Sequence, residues 1–90
     1  VDTVACMSVN DVFVMDAWGK ASNAEHLLML ADGNGTFTAA LGLELDGTGY
    51  GMGTRSKRFA MIVENGVVTL LNVDAGALEG SSAEAILAAL

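Results

Sequence analysis

Positive charge is scarce in this chain: there are four Lys and Arg residues against eleven Asp and Glu, giving a formal net charge of −7. That balance excludes nonspecific nucleic-acid binding, which needs many cationic contacts to phosphate, and it disfavours an anionic membrane surface. There is one cysteine, so no internal disulfide can form, and the count fits a reducing compartment. With one histidine, His26, and no second His or Cys at ligand spacing, no metal site is expected. No apolar run approaches the length of a transmembrane helix. The N-terminal Val1-Asp2-Thr3-Val4 lacks the basic region of a signal peptide. It also begins without Met, inside an apolar strand pattern, and reads as cut or processed.

Apolar residues are abundant: they make up 52% of the 90 residues. The chain is too apolar to be disordered and long enough for one small domain at most. For so small a globule the apolar fraction is high, and the excess reads as surface intended for contacts outside this chain.

Hydrophobic patterning predicts the order β-α-β-α-β-β-α. Residues 3–9 read as a buried strand, and Asn10-Asp11 offers a helix N-cap. Val12 to Ala21 reads as a helix with Phe13, Val14, Ala17 and Trp18 at helical spacing, ended by Asn23. The continuous apolar run 27–31 marks a second strand, of the kind covered on both faces in parallel sheets. A turn at Asp32 to Gly35 leads to a short helix from Thr36 to Leu41, with Gly42 as its C-terminal cap. The glycine-rich stretch 47–53 reads as a mobile loop or interface segment. Arg58–Glu64 and Val67–Val73 flank Asn65-Gly66, a strong hairpin signal. Ser81 or Ser82 opens a last helix, with Ser81 and Glu84 in capping-box register. The first two strands, joined by a helix, are expected to be parallel and the last two antiparallel. The fold class is therefore α/β with a mixed sheet, and the first strand would leave an edge exposed.

Three of the four cationic residues fall in Arg55-Ser56-Lys57-Arg58, between the glycine loop and the apolar run Phe59 to Val63. Arg58, at a strand start, could hold a carboxylate or phosphate, or lower the pKa of a nearby thiol. The bland reading of the same residues is a solvated turn, with Arg55 and Lys57 as surface charge. Cys6 lies within an apolar strand, where a cysteine is most simply a small hydrophobe. His26 reads as a surface residue, and Trp18 and the methionines as core. The glycine loop matches neither a P-loop nor a dinucleotide fingerprint, so no cofactor is expected. Asn34-Gly35-Thr36 matches a glycosylation triplet without a secretion signal to support it.

Two stretches together resemble one family. Val4-Ala5-Cys6-Met7-Ser8-Val9-Asn10-Asp11, followed by Phe13-Val14-Met15 and Ala17-Trp18-Gly19-Lys20, is similar to the peroxiredoxin 5-like (atypical, type II) peroxiredoxins. So is Arg55-Ser56-Lys57-Arg58-Phe59, running on through Val63-Glu64-Asn65-Gly66 to Leu71-Asn72-Val73. The resemblance covers essentially the whole chain. It implies a thioredoxin-like fold, of which residues 1–90 would be the C-terminal half, lacking the N-terminal segment with the peroxidatic cysteine. It implies a thiol peroxidase acting on hydrogen peroxide and alkyl hydroperoxides, with Arg58 at the position of the arginine that steadies thiolate and peroxide. The family motif P-x-x-x-T-x-x-C requires proline, and this chain has none. Cys6 matches a non-catalytic family position, so these 90 residues alone are expected to be inactive. A serine stands where some members place a resolving cysteine. This implies an external thiol reductant, glutathione with glutaredoxin or thioredoxin. A homodimer and a cytoplasmic location are expected, with no nucleic-acid or membrane partner. The alternative is a non-catalytic thioredoxin-like module that binds a partner through its open sheet edge.

Overall fold

The computed structural model describes residues 1–74 and 77–90. They form two compact units, Val1–Ser56 and Lys57–Leu90. Among the described residues no helix is long and apolar enough to cross a membrane.

The first unit opens with β1 (Ala5–Ser8), followed by α1 (Val12–Ala21) and β2 (Leu28–Ala31). The two strands pair in parallel, Ala5 opposite Leu28 and Ser8 opposite Ala31. Asp11 starts the helix: it has extended backbone, and its carboxylate accepts the Val14 N–H at 2.8 Å, satisfying a donor that the first turn would otherwise leave unpaired. Asn23 stops the helix at φ 53°, a left-handed conformation that asparagine tolerates better than most side chains.

The face that α1 buries is not the stripe that the apolar spacing suggests. Phe13 is 82% exposed and Trp18 46%, whereas Met15 and Gly19 are buried. Gly19 decides this: a Cβ there would meet Met29 Cγ of β2 at 3.2 Å. The absent side chain lets the strand approach the helix on that side. Trp18 therefore lies outside the core assigned to it, while Met15 is its best-buried member at 1% exposure.

Asp32 follows β2 and organises α2 (Thr36–Ala40). Gly35, at the N-cap with φ 71°, has no side chain to cap with. The Asp32 carboxylate takes over, accepting the Phe37 N–H at 3.1 Å, the Thr38 N–H at 2.8 Å and the Thr38 hydroxyl at 2.7 Å. At the other end Gly42 sits at φ 69° and Leu43 N–H donates to Thr38 O at 3.1 Å. This is a Schellman closure whose following apolar residue, Leu43, is buried.

Two short strands absent from the sequence reading bracket the glycine loop. β3 (Glu44–Asp46) pairs antiparallel with β4 (Thr54–Ser56), Leu45 opposite Arg55. Between them Thr48–Tyr50 forms a single 3₁₀ turn. Gly47 N–H donates to Gly53 O at 2.7 Å and Met52 N–H to Gly47 O at 3.1 Å. A Cβ on Gly47 would lie 2.9 Å from the Gly53 carbonyl, so glycine is required where the strands cross into the turn.

The second unit is a hairpin and a helix. β5 (Arg58–Glu64) and β6 (Val67–Asp74) are antiparallel around Asn65 and Gly66, both left-handed at φ 51° and 78°, as a two-residue hairpin turn requires. Register slips between Ile62 and Val63, which face Leu70 and Val68. Thr69 is the extra residue of this bulge, and its hydroxyl donates to Ile62 O at 3.3 Å. α3 (Ala83–Ala89) is capped by Ser82, whose hydroxyl accepts the Ala85 N–H at 3.1 Å. The capping box expected from Ser81 and Glu84 does not form, because the Ser81 hydroxyl donates to Asp74 instead.

The α/β class is found as expected, with parallel pairing in the first unit and antiparallel pairing in both. Among the described residues the six strands form three two-stranded ladders. Within the first unit, Met15→Ala should lower unfolding free energy by about 2–5 kcal/mol, the usual cost of emptying a buried methionine site. A urea titration reads the loss, and a change below about 1 kcal/mol would show that the α1–β2 contact collapses around the gap.

Candidate functional site

The basic cluster is divided between the two units. Arg55 lies in β4 of the first, and Arg58 opens β5 of the second. Lys57 lies exposed between the two strands.

Arg55 is not the surface charge that its composition suggested. It is half-buried, and its guanidinium makes three hydrogen bonds. Nε donates to Met52 O at 2.8 Å, and Nη1 donates to Val9 O at 2.6 Å and to Asn10 Oδ1 at 3.2 Å. The Asn10 amide donates onward to Ser8 Oγ at 2.7 Å, and the Ser8 hydroxyl donates to the Met15 sulfur at 3.1 Å. The chain of contacts fastens the glycine turn to the junction of β1 and α1. Its partners lie 45 and 46 residues away in sequence, and no local pattern announces such a link.

Arg58 stands in a different setting. Its side chain is exposed at the first position of β5, directly across the ladder from Asp74. In an antiparallel pair opposite charges in register attract, yet the Asp74 carboxylate is already occupied. It accepts the Ser81 hydroxyl and the N–H groups of Glu79, Gly80 and Ser81 at 2.9, 3.0 and 2.9 Å. These donors, the Ser81 hydroxyl first, hold the buried carboxyl down at about 2. Among the described residues no salt bridge or hydrogen bond engages the Arg58 guanidinium. An arginine on a rigid strand end, with its facing carboxylate already satisfied, is available to an anionic or polarised oxygen.

Cys6 sits in the middle of β1, half-buried and opposite Met29 in the ladder. Burial pushes its thiol up, which favours the protonated form over the nucleophilic thiolate. His26 is exposed in the turn between α1 and β2. Cys6 and His26 belong to the first unit and Arg58 to the second.

The family model described as Redoxin matches residues 1–87. The chain belongs to the peroxiredoxins. Peroxiredoxin-2C of Arabidopsis thaliana is 50% identical over 92 residues, a match that takes in all of this chain and 57% of that protein. The chloroplastic Peroxiredoxin-2E of the same plant is 48% identical over 94 residues, covering 100% of this chain and 40% of the relative. Among solved structures, reduced Prx3 of Vibrio vulnificus in complex with H2O2 superimposes with a TM-score of 0.95 at 64% identity, over 100% of this chain and 59% of that one. Peroxiredoxin 5 of Alvinella pompejana matches 80% of this chain and 47% of its own at 45% identity, with a TM-score of 0.75. These likenesses bear out the peroxiredoxin 5-like resemblance and the thioredoxin-like fold. The chain spans about half the length of the curated relatives it matches.

The Asp74 environment has a pH signature. Its carboxyl titrates near 2 when folded, against 3.8 for the ordinary group. The folded state is therefore favoured fully above about pH 4, and this contribution is lost as pH falls through about 2. Asp74→Asn should lower the melting temperature at neutral pH and flatten its dependence on acid between about pH 4 and 2. Parallel acid titrations of both proteins by circular dichroism check this, and identical slopes would contradict it.

Proposed function

We propose that this chain is the arginine-bearing C-terminal part of a thiol peroxidase domain that reduces hydrogen peroxide and alkyl hydroperoxides. The observation that carries the reading is Arg58 itself, exposed on the end of β5 opposite a carboxylate already saturated by other donors. The 64% identity to a Vibrio vulnificus protein whose structure holds H2O2 supports the choice of substrate.

In this reading the peroxidatic cysteine is supplied by a segment outside these 90 residues. A cysteine thiol has an ordinary pKa of about 8.5 and needs a cation or helix N-terminus to ionise at neutral pH. The Arg58 guanidinium favours the thiolate. It then steadies the charge that develops as sulfur attacks one peroxide oxygen and the other departs as hydroxide or alkoxide. The sulfur becomes a sulfenic acid; one external thiol condenses with it to a mixed disulfide and water, and a second thiol frees the reduced cysteine as the reductant leaves as a disulfide. Glutathione with glutaredoxin, or thioredoxin, would serve as that thiol in a reducing compartment such as the cytoplasm. Cys6 does not take the peroxidatic role: its mid-strand position and raised pKa oppose thiolate formation.

Peroxide consumption tests this directly. The 90-residue chain with dithiothreitol should show no turnover above the thiol background; turnover abolished by Cys6→Ser would make Cys6 the peroxidatic residue and overturn the reading. In the longer protein carrying the peroxidatic cysteine, Arg58→Met should lower kcat/KM by about 10²-fold, the usual loss on removing one group that stabilises developing negative charge. Unchanged kcat/KM would assign the work to another cation.

We further propose that the protein is a homodimer that uses the glycine turn as its contact. Tyr50, at 85% exposure, and Met52, at 49%, lie on this turn and supply exposed apolar surface for the contact. Tyr50→Asp should shift the protein toward monomer in sedimentation velocity, and an unaltered distribution would remove the turn from the interface.

A further inference from the structure

We infer that Met52 is a sulfoxidation site for hydroperoxides. The methionines differ in how far each residue is exposed. Met15 is 1% exposed, and its sulfur accepts the Ser8 hydroxyl at 3.1 Å. Met29 lies against Gly19: a Cβ added there would come within 3.2 Å of Met29 Cγ, 3.8 Å of Sδ and 3.9 Å of Cε. Met7 and Met61 are half-buried in β1 and β5. Met52, next to the 3₁₀ turn, is the exposed methionine, at 49%.

That turn is rigid where it carries Met52 and bare on either side. The Met52 N–H donates to Gly47 O, and the Met52 carbonyl accepts from Arg55 Nε at 2.8 Å. Its neighbours Gly51 and Gly53 sit at φ 72° and 64°, and nothing lies within 4 Å of where either would carry a Cβ. The two flanking residues therefore carry no side chain to shield the thioether, and the Met52 backbone is tied at both its N–H and its carbonyl.

The chemistry balances without a further reactant. The thioether sulfur attacks one oxygen of the hydroperoxide, the O–O bond breaks and an S–O bond forms. The other oxygen leaves as water or an alcohol, carrying the proton of the attacked oxygen. Sulfur is oxidised by two electrons and the peroxide reduced by two. The product sulfoxide belongs to the class that methionine sulfoxide reductases reverse. The inference does not rest on the peroxidase role of Arg58; self-association through the glycine turn would cover Met52, so the site is that of the dissociated chain.

The test exposes the 90-residue chain to excess hydrogen peroxide, quenches with catalase and follows each methionine by tandem mass spectrometry. Trypsin places Met52 with Met29 on the peptide ending at Arg55, and fragment ions separate the two. Met52 should oxidise at least about ten-fold faster than Met15, with the rates converging in denaturant as exposure equalises. Met52→Leu should remove the fast phase and leave the others unchanged. Tyr50→Asp is run beside the wild type. Slow oxidation of Met52 in the wild type with fast oxidation in Tyr50→Asp would support the site in the dissociated chain. Met52 no faster than Met7, Met29 or Met61 in both proteins overturns the inference.

Discussion

A carboxylate withdrawn from water must be given donors in place of the solvent it loses, and in the second unit Asp74 receives them from the chain that follows it. Three backbone N–H groups and a hydroxyl converge on its two oxygens. That convergence also sets the point where α3 begins, because Ser81 is committed to the carboxylate and Ser82 is left to cap the helix. The same donors keep Asp74 ionised and occupied across the ladder from Arg58. Asp32 repeats the device in the first unit: its carboxylate caps α2 through Thr38 and Phe37 and is held below the ordinary range chiefly by the Thr38 hydroxyl.

Two arginines three residues apart thus do opposite things. Arg55 spends its donors on backbone and amide oxygens of its own unit, so it supports a turn and a helix junction. Arg58 spends none among the described residues, which is the condition for acting on something else. Guanidinium geometry suits both tasks, since its planar fork of donors can fasten several carbonyls or present itself to one anion. What separates the roles is whether the tertiary fold delivers acceptors to the side chain.

Much of the secondary structure is legible in local chemistry. Asp11 before an apolar stretch, Asn65-Gly66 between two β-rich runs, and Gly42 after a short helix each mark a boundary that the backbone obeys. The strands β3 and β4 escape notice because three residues carry no periodicity, and their pairing depends on Gly47 meeting the Gly53 carbonyl across the turn. Trp18 and the apolar stripe of α1 mislead for a related reason. Spacing identifies a helix face, but which face is buried follows from Gly19, whose missing side chain admits Met29. For the candidate site, Arg58 is visible as one residue of a basic cluster, whereas its difference from Arg55 is not.

Sequence alone determined the class of fold and the family, because helix caps, turn residues and an R-S-K-R-F element within a matching run depend only on neighbours along the chain. Tertiary structure decided how each polar group is spent. Two of the hydrogen-bond partners of Arg55 lie 45 and 46 residues distant, and the donors that saturate Asp74 come from Glu79, Gly80 and Ser81, 5 to 7 residues further along the chain. A buried carboxylate's pKa, an arginine's availability and a methionine's exposure are all set by what the folded chain brings within about 3–4 Å.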